Sequence, residues 1–176
     1  MADATTRRVR PVLSLCAVLA LVAPTGSAAK GTILFARGSW AAIDRGGTCE
    51  AIGRSARVAA KGKVQAIAGF AFSRDRRRWG EFHARLRRVP RPGSSVILTV
   101  GDQPFLLVAR GEWAWSSGPL QDQAIIAAVR SAGGMRVEGR DLGGRRFSDP
   151  YALDGAPTAI DAAAARCSAP GAGKNG

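Results

Sequence analysis

The sequence predicts an α+β domain. Its body is a mainly antiparallel β sheet, sandwich-like or a partly closed barrel, with one core helix and a short C-terminal helix. Three observations carry this expectation. About eight short runs alternate apolar and polar residues between Gly and Pro punctuation. Residues 119–132 space their apolar side chains as a helix does. No β–helix–β unit repeats, which speaks against a parallel nucleotide-binding sheet.

The elements follow in order. Residues 32–43, with Ile33, Phe35, Trp40 and Ile43, read as the first β run, and Gly46-Gly47 turns the chain. Cys49, Ala51 and Gly53 then share one face of the next strand. Lys61-Gly62-Lys63 marks a loop, 64–73 a strand around Ile67 and Phe70, and 75–78 a charged turn. Residues 81–87 alternate with period two, placing Phe82, Ala84 and Leu86 inward. After Pro90, Pro92 and Gly93, a strand over 94–100 sets Val96, Leu98 and Val100 against Ile97. Residues 105–108 and 112–115 form a hairpin about Arg110-Gly111. Pro119 suits a first helical position. Ala124, Ile125, Ala128 and Val129 make the buried stripe, and Gly133-Gly134 ends the helix. Residues 135–140 and 145–153 pair as strands across Gly143-Gly144. Thr158 and Asp161 resemble a capping box that opens a short helix ending near Cys167.

Residues 1–29 have the layout of an export signal. Arg7, Arg8 and Arg10 precede an uncharged apolar run over 12–23, too short to span a bilayer, and Ser27-Ala28-Ala29 offers a cleavage site after Ala29 or Ala28. Arg10 stands where a twin-arginine signal has an apolar residue, and Leu15 before Cys16 does not suit lipoprotein processing. The expected organisation is therefore a signal peptide over 1–29, one β-rich domain over 30–168 and a tail over 169–176. The expected location is periplasmic or secreted. No segment of the mature chain reads as transmembrane.

The chain has 176 residues, with 26 Lys+Arg against 13 Asp+Glu, and 46% of residues are hydrophobic. That is ample apolar material for one core, which excludes a disordered polyelectrolyte. Removing the leader takes three arginines and Asp3, leaving a net charge of +11. Cys16 leaves with the leader. Cys49 and Cys167 remain, and in an oxidising compartment they read as one disulfide. Two cysteines and the lone His83 cannot fill a tetrahedral zinc site, and no Cys-x-x-Cys pair is present. No motif calls for a cofactor.

Several residue sets invite chemistry. His83 with Glu81 could make a general base, although Arg85 and Arg87 continue that face and a solvated polar strand explains the pattern. Asp141, Asp149, Asp154 and Asp161 could supply an acid pair, but no spacing favours one. Gly171, Gly173 and Gly176 match a dinucleotide fingerprint without a helix to follow. Trp113 and Trp115 could form an exposed platform, yet both fit an inward strand face. The most extended set is basic: Arg74, Arg76, Arg77 and Arg78, then Arg85, Arg87, Arg88 and Arg91. A hairpin around Trp79 would gather these guanidiniums at one end, suited to phosphates or carboxylates.

Beyond Ser94 the chain resembles the invasion-associated locus B family of exported bacterial proteins. The resemblance rests on residues 95–101 (SVILTVG), the Gln103-Pro104-Phe105 start of the next strand, the helix through Ile125 and Val129, the strand pair about Gly143-Gly144, and Leu153-x-Gly155-Ala156. Trp40 and Cys49 fit as well. Typical members carry extra cysteines just before the helix, where residues 110–120 have none. The resemblance implies a periplasmic or surface-associated, mainly β protein without established catalytic residues, and it implies no cofactor.

The functional expectation is thus a non-enzymatic envelope protein. Its basic surface would bind an anionic lipid, a glycan or an envelope protein, with nucleic acid not among the partners. The alternatives are a small periplasmic hydrolase using His83 or an Asp pair, and an inhibitor or chaperone-like module using the Trp113/Trp115 hairpin.

Overall fold

The computed structural model describes Met1 and residues 31–169. All but the first residue of the expected signal, and the tail beyond 169 with its three glycines, lie outside the described residues. The strands are β1 (Thr32–Arg37), β2 (Trp40–Asp44), β3 (Thr48–Arg54), β4 (Ile67–Ser73), β5 (Trp79–Arg85), β6 (Val96–Val100), β7 (Gln103–Arg110), β8 (Trp113–Trp115), β9 (Gly134–Arg140) and β10 (Arg146–Ala152). Helix α1 (Pro119–Ser131) lies between β8 and β9, and α2 (Ala156–Ser168) follows β10. Every strand pairing is antiparallel, in the order β1-β2-β3-β4-β5-β8-β7-β6-β9-β10. This is the α+β architecture that the short alternating runs predict.

The sheet is not closed. Its two ends nevertheless approach one another without forming a ladder. Ala56 N–H and Ser55 Oγ both donate to the Pro150 carbonyl, at 2.8 and 3.0 Å, and Trp40 Nε1 donates to the Ala152 carbonyl at 2.8 Å. Pro150 has no N–H to offer a further strand, so β10 suits a sheet edge.

Inward faces of both halves meet in one core. Trp40, Phe70, Phe82, Leu98, Val137 and Tyr151 are among its largest side chains. Cys49, Ala51 and Gly53 are all buried along β3, as are Phe82, Ala84 and Leu86 along and beyond β5. Helix α1 packs against β5 to β7, α2 covers β1 to β5, and the helices touch. Cys49 and Cys167 are joined, with Cα atoms 5.8 Å apart and 118 residues between them, so α2 is fastened to β3. Among the described residues no helix is long and apolar enough to cross a membrane.

Four expectations need correction. The run 32–43 is a hairpin, because Gly38 turns at φ +59° and brings Trp40 opposite Arg37. Trp40 then lies over Gly53, where a Cβ would sit 2.6 Å from the indole. The strand expected over 64–73 begins only at Ile67, because Gln65 turns its amide to the preceding loop. On α1 the buried stripe takes Asp122 and leaves Ala124 exposed. Asp122 is retained because it accepts from Phe82 N–H at 2.9 Å and from the Ser116 hydroxyl. Finally, α2 starts at Ala156 with Gly155 as its N-cap and no side-chain cap. Asp161 instead pairs with Arg130 at 2.5 Å, joining the helices.

Candidate anion-binding cleft

The two basic clusters do not converge. β4 and β5 do form a hairpin about Trp79, but its arms hold Arg74, Arg76, Arg77 and Arg78 at the turn and Arg85, Arg87 and Arg88 at the far end. The separation follows from strand rise: each arm is seven residues long.

At the turn the arginines are largely engaged by the protein. Arg74 pairs with Asp44 at 3.1 Å and donates to the carbonyls of Gly46, Arg166 and Ala169, capping the end of α2. Arg76, at φ +62°, lays its guanidinium 3.7 Å from the Trp79 ring centroid. Arg77 pairs with Asp75, and Arg78 donates to Thr48 Oγ1. Arg85, at the far end, is held by Glu112 at 2.8 Å.

Beyond Arg85 the surface is different. The 55–66 loop, the segment after β5 and the β9–β10 pair enclose a cleft with two lobes, of about 800 and about 490 Å³. Arg57 and Arg87 line both lobes. The larger adds Arg140, Arg146, Glu138, Ser94, Ser95 and Ser148; the smaller adds Lys63, Arg88, the exposed Val58 and the half-buried Val64. Arg91, the last of the expected cluster, lines neither lobe but flanks a smaller recess beside Ser94.

Local structure fixes each wall. Gln65 ties the loop by accepting from Ala59 N–H and donating to the carbonyls of Ser55 and Arg57. Arg87 is set at the junction of the lobes by fully buried Asp149, Nε to Oδ1 2.5 Å. Burial pushes the Asp149 carboxyl above its ordinary range, while the charge and hydrogen bonds of Arg87 pull the other way. Arg88 is held by Asp141 at 3.0 Å, and Asp141 also accepts from Arg145 N–H. Partial burial of Asp141 is outweighed by that N–H and by the charges of Arg145 and Arg88, which hold its carboxyl below the ordinary range. Across β6, β9 and β10 the register aligns Ile97, Glu138 and Ser148 in one row.

The remaining cations are unmatched. Among the described residues Arg57, Lys63, Arg140 and Arg146 form no ion pair, and Arg140 spends one donor on the Gly144 carbonyl at 3.1 Å. Arg140 and Arg146 are direct cross-strand partners, a like-charge juxtaposition that costs stability unless an anion lies between them. None of these four belongs to the arginine runs that stand out in the sequence. The signal that could have found them is the pairing of 135–140 with 145–153, which sets Arg140 near Arg145 and Arg146.

The other candidate sets fall elsewhere. His83 is not on a solvated strand face but buried, with its ring 6.1 Å from that of Trp113. Gly69 makes room for it: a Cβ there would stand 3.1 Å from Nε2. Burial holds the imidazole below its ordinary pKa, with the Glu50 carboxylate opposing, so near neutrality it is uncharged. His83 lines neither lobe. Trp113 and Trp115 face outward, with rings stacked at 6.3 Å, because the strand's alternation gives the inner position to Ala114. Asp141, Asp149, Asp154 and Asp161 each pair with arginine, in four separate places. Comparison of the chain with protein-family models, curated proteins and solved structures returned no match.

Proposed function

We propose that this chain is an exported, non-enzymatic protein of the cell envelope that holds an anionic envelope component, a lipid, a glycan or an acidic protein, in the two-lobed cleft. The observation that carries this reading is the opposed Arg140–Arg146 pair, with Arg57 and Lys63 also lacking carboxylates in the same cleft. Guanidinium groups bind carboxylate and phosphate bidentately, so unmatched arginines on rigid strands suit such a ligand. The signal-like residues 1–29 and the buried cysteine pair support an oxidising compartment. The resemblance to the invasion-associated locus B family points to the same location.

The test is titration of the protein with anionic vesicles and with an acidic polysaccharide at rising salt. Binding is expected to weaken with salt. Replacing Arg140 and Arg146 together with Ser should lower affinity about tenfold or more. Arg76→Ser with Arg77→Ser, at the turn of the hairpin, should leave it unchanged. Affinity untouched by loss of Arg140 and Arg146 overturns the reading.

A further inference from the structure

We infer that the cleft takes an acidic oligosaccharide, a chain bearing both carboxylates and free hydroxyls; this rests on the anion-binding reading above. Three features of the cleft select that class.

The first is the spread of charge. Lys63 lies in one lobe, Arg140 and Arg146 in the other, and Arg57 at the junction. A single phosphate is best held by donors converging on one point. These cations are strung along two lobes, each of a size suited to an organic ligand. An extended ligand with several separated charges can satisfy all of them.

The second is Glu138. It lines the larger lobe two residues before Arg140 on the same face of β9, and Arg136 holds it at 2.8 Å. A carboxylate there repels a ligand whose only polar groups are anionic oxygens, such as polyphosphate. It accepts hydrogen bonds from a ligand carrying hydroxyl groups. Ser95 and Ser148 line the same lobe, and a hydroxyl both donates and accepts, as sugar hydroxyls require; Ser94 Oγ, which donates to the Arg91 carbonyl at 2.7 Å, is left as an acceptor.

The third is the apolar content of the walls. Ile97 stands beside Glu138 in the larger lobe, and Val58 and Val64 line the smaller. The C–H faces of sugar rings can cover such patches, whereas a bare polyanion leaves them wet.

The deciding experiment is calorimetric titration with four probes: oligogalacturonate, a neutral oligosaccharide of equal length, polyphosphate and inorganic phosphate. Oligogalacturonate is expected to bind at least about tenfold more tightly than the neutral chain or inorganic phosphate. Glu138→Gln should weaken oligogalacturonate several-fold and tighten polyphosphate, and Ser95→Ala with Ser148→Ala should weaken oligogalacturonate alone. Preference for polyphosphate, or a Glu138→Gln variant that tightens both polyanions, removes the glycan while leaving the anion-binding cleft intact. If no polyanion responds to loss of Arg140 and Arg146, both inferences fall.

Discussion

Asp44 and Asp149 are both carboxylates enclosed by arginines, at different ends of the sheet. Asp44 accepts from Arg166 at 2.6 Å, Arg74 at 3.1 Å and Gly46 N–H at 2.8 Å. Arg74 spends further donors on backbone carbonyls at the end of α2. Asp149, deeper in the protein, holds Arg87 alone, and Arg57, Arg140 and Arg146 line the cleft beside it without a carboxylate. The first site fastens a helix to the sheet. The second sets one guanidinium in place and leaves its neighbours available. The number of arginines therefore says little about a binding surface, and the number left unmatched says more.

The strongest test of the fastening end is covalent. Replacing Cys49 and Cys167 together with Ser should cost roughly 4–5 kcal/mol by the loop-closure relation, read as a lower denaturation midpoint. An unchanged midpoint would mean that packing and the Asp44 cluster hold α2 by themselves.

Next comes the contrast between the carboxylates. Asp44→Asn removes the carboxylate shared by Arg166, Arg74 and Gly46 N–H and should cost about 1–2 kcal/mol. Asp149→Asn should cost less, about 1 kcal/mol or below, because burial already favours the neutral carboxyl and the Asn amide oxygen can still accept from Arg87 Nε. Denaturant titration of the two variants decides it, and a larger loss at Asp149 would reverse the comparison.

The smallest effect is the pH response, where the two sites have opposite signs. Burial draws the Asp44 carboxyl upward, but Arg166, Gly46 N–H and Arg74 outweigh it and hold its pKa below 3.8. Its contribution to stability is full above 3.8 and is lost as pH falls through the folded value. Asp149 is pushed above 3.8 by burial, so the native state holds its proton more tightly. Its contribution is largest below 3.8 and declines as pH rises through the folded value. Melting curves around and below about pH 4 should show a shallower acid loss in Asp44→Asn and a steeper one in Asp149→Asn. Parallel curves for the two variants would contradict the assignment.

Much of the sheet is legible in the sequence because alternation is local. It groups Cys49 with Ala51 and Gly53, and Val96 with Leu98 and Val100, whatever lies across from them. Alternation tells which residues share a face, but not which face is inward. For that reason the pattern places Trp113 and Trp115 on the wrong side, since Ala114 carries too little apolar surface to announce itself. His83 is covered by Trp113, thirty residues later in the chain, so its burial has no local signature. The cleft is the least legible part. Its cations come from the 55–66 loop, the segment after β5 and the β9–β10 pair, and only the folded sheet makes them neighbours.

Helix α2 is the last described element in the chain, yet it covers the first three strands. During synthesis β1 to β3 emerge long before their cover, with Cys49 waiting 118 residues for its partner. The N-terminal strands must therefore remain unaggregated with Trp40 and Ala42 uncovered until the C-terminal segment arrives. A chain ending before residue 156 would hold all ten strands but neither the cover of α2 nor the partner of Cys49, so the last helix completes both the packing and the covalent closure of the first strands.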